Sequence, residues 1–358
     1  MDTMSDEPLL VICPGGTASN RYALTLESAL DGRQAQIVSR LEPGVSPAGR
    51  RILFAIPLPK DGVNLEFYQL LSVLRQSPGL LSGCTGGVMI DGENDLYTKA
   101  AARELVLAAN GAHCRFPGRP LVEATGGLRN FTVQAKNADC SLEEAYHLAV
   151  RDLCERVSSF APPRRQRPKL CVLHASSRKT SNTLALWGLV RELLEARCDI
   201  TEIGLRNGTL EDCGGCPYTT CLHFGEKGDC FYGGVMVKEV YPAIRECDAV
   251  ILLCPNYNDA LSANLTAAVN RLTALYRTTS FADKAVFGIV VSGYSGGDLV
   301  ASQLVSSLCM NKGFWLPPQF TMLETANDAG TAVRLPGIET RAAAFADRIL
   351  TQLTGMEH

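Results

Sequence analysis

Nowhere in the chain do more than a few Lys or Arg residues follow one another, and the formal net charge is only −3. Without basic runs there is no electrostatic footprint for nucleic acid or for an anionic membrane surface. Also missing is an apolar run of about 18 residues, the length that a membrane-spanning helix requires. Residues 1–8 are acidic and the first apolar run, 9–13, is short, so no secretory leader is expected. Two phosphate-binding signatures are absent as well: the glycine fingerprint of dinucleotide sites and the Lys-containing loop of nucleotide triphosphatases.

What is present is the composition of an ordinary globular protein, 46% hydrophobic and 20% charged. At 358 residues the expectation is about two domains. Cysteine is abundant, with 14 residues. Without a leader, that number points to free thiols in a reducing, cytoplasmic setting and not to a disulfide framework. Most fit a core: Cys13, Cys154, Cys171, Cys247, Cys254 and Cys309 each sit among apolar neighbours.

Four cysteines do not. Cys213, Cys216, Cys221 and Cys230 lie in residues 212–233 with spacing C-x2-C-x4-C-x8-C, among glycines and polar residues. Thiolates this close favour a soft metal, and zinc and iron–sulfur both remain open on spacing alone.

The proline-rich, basic segment 161–169 separates two similar runs of strands and helices. Strands are expected at 9–13, 36–40, 52–56, 87–90 and 121–124, then at 169–174, 200–205, 249–254, 286–291 and 320–324. Helical periodicity lies between them, as over 183–196, where Leu186, Trp187, Val190, Leu193 and Leu194 share one face. Such alternation implies parallel sheets covered on both sides. Landmarks recur in order. Ser19-Asn20 returns as Ser181-Asn182, Pro57 and Asp61 as Pro255 and Asp259, and Asn110 and Glu123 as Asn311 and Glu324. The second half is longer between the first two landmarks, and the cysteine segment is expected to account for most of the difference. The expected fold class is α/β, with two tandem doubly wound parallel-sheet domains at 1–160 and 169–358 and a linker at 161–168.

Residues 175–183, ASSRKTSNT, follow the first strand of the second half. Ser176, Ser181 and Thr183 offer hydroxyl donors at a helix start, and Arg178 offers a charged fork, as a phosphomonoester site requires. Ser, Thr and Asn are equally ordinary helix caps. Strand, then A-S-S-R-x-x-S-N-T, then helix resembles the NADPH-dependent FMN reductase branch of the flavodoxin-like superfamily. The resemblance implies that Ser176, Arg178, Ser181, Asn182 and Thr183 hold the FMN phosphate. Ala175 stands where that branch usually has glycine.

Two further stretches carry the resemblance. Residues 248–272 are similar to the strand, P-x-Y loop and helix that wrap the isoalloxazine ring, which assigns ring contacts to Pro255, Asn256, Tyr257 and Asn258. Asn270 replaces the usual Asp and Thr266 a frequent Lys. Residues 290–299 resemble the glycine-rich loop at the flavin's pyrimidine edge, implicating Ser292, Gly293, Tyr294, Ser295, Gly296 and Gly297. Plain strand-to-helix turns and rim tyrosines are the alternative for each stretch.

Within this branch, iron–sulfur flavoproteins carry a compact cysteine motif where residues 213–230 fall, so the resemblance implies a 4Fe–4S cluster beside FMN. Here the spacing is wider, and Gly233-Gly234 replaces an acidic pair. Structural zinc or free thiols are the other outcomes. The expected function is an NAD(P)H-dependent FMN oxidoreductase passing electrons to a small-molecule acceptor or a partner protein, with a homodimer possible. A non-catalytic electron-transfer module and a zinc-stabilised enzyme without flavin are the alternatives. The first half has CPGGTASN and PLPKDG in place of the flavin loops, so it is expected to bind no FMN and to act as a fixed pseudo-partner. Asp91, Glu93 and Asp95 could bind a cation or a substrate hydroxyl, but a solvated helix start is the better account of them.

Overall fold

A computed structural model describes residues 7–15, 19–41, 47–176 and 181–356. The chain divides into two units, Met1–Ala161 and Pro162–His358. Each is a five-stranded parallel sheet flanked by helices, so the protein consists of two tandem flavodoxin-like α/β domains.

The first sheet is built from β1 (Leu9–Ile12), β2 (Ala35–Val38), β3 (Arg51–Leu58), β4 (Thr85–Gly92) and β5 (Leu121–Ala124), in the order β2-β1-β3-β4-β5. Its helices are α1 (Asn20–Leu30), α2 (Leu65–Gln76), α3 (Thr98–Gly111), α4 (Thr132–Ala138) and α5 (Leu142–Ser159). Strands β1 and β4 are buried along their whole length, as expected of parallel strands covered on both faces. On one face Leu9, Val11, Leu53, Ala55 and Met89 pack against Tyr22, Leu26 and Ala29 of α1 and Tyr146, Val150, Leu153 and Val157 of α5. Gly87 permits that approach: a Cβ there would meet Val157 Cγ2 at 2.6 Å.

The second sheet comprises β6 (Lys169–His174), β7 (Asp199–Gly204), β8 (Ala249–Pro255), β9 (Ala285–Ser292) and β10 (Thr321–Thr325), in the order β10-β9-β8-β6-β7. Helices α6 (Asn182–Leu194), α7 (Tyr218–Glu226), α8 (Tyr241–Glu246), α9 (Ala263–Tyr276), α10 (Gly297–Leu304) and α11 (Ile338–Thr354) complete it. Strand order puts β6 beside β8, and the connections that follow them diverge, β6 leading to β7 on one side and β8 to β9 on the other. A crevice opens there at the carboxyl ends of the strands.

Between β7 and β8 the second unit carries the cysteine segment, with α7 inside it, and then a π-turn at Met236–Val240 and α8. Cys13, Cys154, Cys171, Cys247, Cys254 and Cys309 are all buried, the core role their neighbours suggested. Among the described residues no helix is long and apolar enough to cross a membrane.

In the first unit Asp91 does not join Glu93 and Asp95 in an acidic cluster. Its carboxylate receives a two-pronged bond from Arg21, Nε to Oδ2 at 3.0 Å and Nη2 to Oδ1 at 2.6 Å. The same guanidinium donates to the carbonyls of Gly92, Thr125 and Gly126 at 3.1, 3.2 and 3.0 Å. One side chain from the start of α1 thereby ties the ends of β4 and β5 together. Arg21→Met would leave a buried carboxylate unpaired, and urea unfolding should register a loss of about 3–5 kcal/mol.

Candidate functional site

A cavity of about 790 Å³ opens at the carboxyl ends of β6, β8 and β9. That volume lies within the roughly 300–1,000 Å³ of small-molecule sites. Ser176, Ser181, Asn182, Thr183, Pro255, Asn256, Tyr257 and Gly293 line it, drawn from all three stretches singled out in the sequence. Arg178 lies outside the described residues.

On the β6 side the hydroxyls form a chain. Ser176 Oγ and Ser181 Oγ are 3.0 Å apart, and Ser181 Oγ and Thr183 Oγ1 are 2.9 Å apart. Ser181 is also the N-cap of α6, accepting from Leu184 N at 3.4 Å. Cap and hydroxyl chain are the same atoms. Asn182 is committed elsewhere: its Nδ2 donates to Ala326 O at 3.1 Å and Asp328 O at 2.9 Å, and its Oδ1 accepts from Ala332 N at 3.1 Å. It fastens the loop after β10 to α6.

After β8 the chain makes a tight turn. Tyr257 and Ala260 pair antiparallel, and Asn258 and Asp259 between them have φ of 52° and 57°. Two left-handed residues in a two-residue loop form a type I′ turn, for which Asn and Asp are among the few suitable side chains. Asn258 thus serves the backbone and does not line the cavity. Asn256 knits this turn to the loop after β9: its Nδ2 lies 3.2 Å from Asp259 Oδ1, 3.2 Å from Ser292 Oγ and 3.0 Å from Ser295 O. Ser292 is buried beneath it. Gly296, at φ 82°, is required where the two loops meet, because a Cβ would strike Asp259 Oδ1. Gly297 begins α10. Tyr257 lines the cavity and is 60% exposed, so its ring stands at the rim, whereas Tyr294 is 82% exposed and does not line it.

Sequence reasoning missed Ser262, Asn264, Asn207 and Asn327, which also line the cavity. Asn264 Nδ2 donates to Leu205 O at 2.7 Å and Asn207 Oδ1 at 2.9 Å, joining the start of α9 to the loop after β7. The serine before a helix was a legible signal; the asparagines carry none without the fold.

His174 ends β6 directly before the hydroxyl loop. Burial lowers its pKa below the usual imidazole value, opposed by Glu202 and the Ser176 backbone. Glu202 is held by Trp187 Nε1 at 2.8 Å.

The cysteine segment is not a simple loop. Helix α7 lies inside it, and Cys221 N bonds Pro217 O at 2.9 Å in its first turn. The long x8 interval is the rest of that helix and its end. Tyr232 is surrounded by thiols: Cys216, Cys213 and Cys230 contribute, after desolvation, to an upward shift of its phenol. Cys230 and Cys221 act similarly on Tyr241, behind burial. The thiols therefore share neighbours. Cys213 is exposed and the other three half-buried, but among the described residues no group of three or more His, Cys, Asp or Glu is arranged to hold a metal ion.

Arg271 fastens this segment. It is 1% exposed, and its guanidinium donates to Gly233 O at 2.6 Å and Glu211 O at 3.4 Å, at the two ends of the segment. Asn270 Nδ2 adds a bond to Asp212 Oδ1 at 3.0 Å. The substitution of Asp by Asn at 270 thus has a local partner.

Residues 168–328 match the family model described as NADPH-dependent FMN reductase, a little under half of the chain. No curated protein matches the chain. Among solved structures, an NAD(P)H:quinone oxidoreductase from Methanothermobacter marburgensis is 16% identical with a TM-score of 0.38, over 54% of this chain and 98% of its own. An azoreductase from Bacillus anthracis is 13% identical with a TM-score of 0.36, over 53% of this chain and 100% of its own. RosB, solved with 8-demethyl-8-formylriboflavin-5'-phosphate, is 14% identical with a TM-score of 0.40, over 52% and 77%. The family match supports an enzymatic flavin oxidoreductase function for the second unit.

Two outcomes follow from this geometry. Arg271→Leu should free both ends of the cysteine segment, and limited proteolysis should then cut within 211–233 several-fold faster. For His174 the folded pKa is depressed, so the unfolded chain takes up the proton first as pH falls through about 6.5. Stability should drop from there down to the lower folded pKa, and His174→Gln should flatten that dependence in denaturant melts.

Proposed function

We propose that residues 169–358 bind FMN non-covalently in this cavity and work as an NAD(P)H-dependent oxidoreductase, with 161–168 as a linker. The observation that carries the reading is the cavity itself. It lies at the switch point of a doubly wound sheet, inside the stretch matched by the FMN reductase model, and is lined by a hydroxyl chain on one side and a P-x-Y turn on the other.

In this reading Ser176, Ser181 and Thr183 donate to the phosphate at the start of α6, where unpaired backbone N–H groups also favour an anion. Arg178 supplies the compensating charge. Pro255, Asn256 and Tyr257 border the ring, and the Gly293 loop borders its edge. Asn182, Asn258, Ser292, Gly296 and Gly297 act one step back, by holding these loops in place. Tyr257, at the rim, borders the opening through which a nicotinamide and an acceptor would approach. When bound, FMN would accept hydride from the nicotinamide and release electrons to a small-molecule acceptor or a partner protein. No acid–base pair in the protein is needed for that exchange.

The first unit is proposed to bind no FMN. It has Pro14, without an N–H, where the second unit has its hydroxyl loop, and no aromatic residue in its PLPKDG turn.

The spacing of Cys213, Cys216, Cys221 and Cys230 supports a soft-metal site, iron–sulfur or zinc, as a separate proposal. Since the described thiols do not form a ligand group, no electron step is assigned to them.

Protein purified without oxygen should be yellow, with bands near about 370 and 450 nm, and should release FMN on denaturation. Colourless protein that takes up no added FMN would sink the flavin reading. Iron, sulfide and zinc analysis of the same sample decides the thiol proposal independently. Steady-state NAD(P)H oxidation with a soluble quinone separates an enzyme from an electron-transfer module, which would accept electrons only from its partner.

A further inference from the structure

The repeat lets the two switch points be compared residue by residue. Pro57 and Asp61 match Pro255 and Asp259, and the same shift brings Asn64 onto Ser262. Each is the N-cap of the helix after the third strand of its unit: Asn64 precedes α2 and Ser262 precedes α9.

Their side chains behave differently. Asn64 is 7% exposed, and both ends of its amide are engaged. Oδ1 accepts from Phe67 N at 2.9 Å, capping α2. Nδ2 donates to Pro57 O at 2.9 Å and to Pro14 O at 3.1 Å. Pro57 lies in β3 and Pro14 in the connection after β1, and β1 and β3 are neighbours in the sheet. One amide therefore spans the crevice. Gly15 packs so closely that a Cβ there would meet Asn64 Nδ2 at 2.8 Å.

Ser262 cannot span. Its side chain makes no cap bond to α9, although serine is a favoured cap. The residue is 9% exposed and lines the cavity, and its Oγ is shielded from solvent with no hydrogen-bond partner among the described residues. Asn256 Oδ1, also in the cavity lining, is in the same condition. A buried hydroxyl with no partner is costly, and a ligand oxygen in the cavity would satisfy it.

We infer that this one position decides which repeat takes the ligand. Ser262 leaves the crevice of the second unit open and donates its hydroxyl to an oxygen of FMN. Asn64 laces the equivalent crevice of the first unit shut. The inference rests on the FMN reading above and adds a binding residue outside the three sequence stretches that suggested it. It also sets Ser262 apart from a structural cap, because replacing a cap that forms no bond should not weaken the helix.

FMN titration of full-length apoprotein, by quenching of flavin fluorescence, tests this on wild type, Ser262→Ala and Ser262→Asn, with thermal melts of each. Ser262→Ala should bind FMN about five- to tenfold more weakly, the loss of one hydrogen bond, with an apo melting temperature unchanged or raised. Ser262→Asn should bind about a hundredfold more weakly or not at all, because the larger amide fills the crevice. A folded Ser262→Asn with wild-type affinity would overturn the inference. If that variant does not fold, Ser262→Ala decides: unchanged affinity overturns it equally, and a lowered melting temperature would then make Ser262 a cap. Wild-type protein that binds no FMN defeats the functional reading itself, an outcome that the wild-type titration separates from failure of the variants.

Discussion

Everything at the site follows from one topological constraint, the reversal of strand order around β6. The connection after β6 runs outward to β7 and the connection after its neighbour β8 runs the opposite way to β9, so the loops at their carboxyl ends part and cannot cover one another. Into that gap the chain brings helix starts, whose unpaired N–H groups need partners. Ser181 at the start of α6 and Ser262 at the start of α9 face the gap from two sides. In the second unit this unmet hydrogen-bonding capacity remains open to a ligand. In the first unit Asn64 Oδ1 accepts from Phe67 N at its helix start, while its Nδ2 bridges the carbonyls of Pro14 and Pro57 from within the protein.

Strand positions were readable because fully buried parallel strands are continuous apolar runs, bounded by glycine, proline and short polar residues. Residues 169–174 and 121–124 were located to the residue, and the rest to within a few. The hydroxyl loop, the P-x-Y turn and the glycine-rich turn were legible because each combines unusual residues in a short span. Illegible was which member of each stretch faces inward. Asn258 looks like a ligand residue beside Tyr257, yet its left-handed backbone makes it a turn residue. Asn182 looks like part of an anion loop, yet its amide grips residues 326–332, far along the chain. Contacts between distant segments have no sequence signature.

The cysteine segment teaches the same lesson in reverse. Spacing alone makes it a metal loop, because spacing cannot reveal that a helix occupies the interval from 218 to 226. The helix carries Cys221 along its own axis and brings Phe224 edge-on against Phe231, which in turn meets Tyr232 edge-on. Aromatic packing, together with Arg271 over the Tyr232 ring at 5.8 Å, organises the segment in this structure. Asn270, which the sequence offers only as a replacement for Asp, and Arg271 beside it are its anchor.

Helix α9 therefore begins at the cavity with Ser262 and, eight residues on, holds the thiol-bearing segment with Asn270 and Arg271. At about 1.5 Å per residue the two attachment points are separated by about 12 Å of stiff helix. A single element thus serves as a ruler between two chemically distinct parts of the unit. Any insertion or deletion within α9 would change their separation and also rotate one attachment point about the axis relative to the other, so this stretch can drift in residue type but not in length.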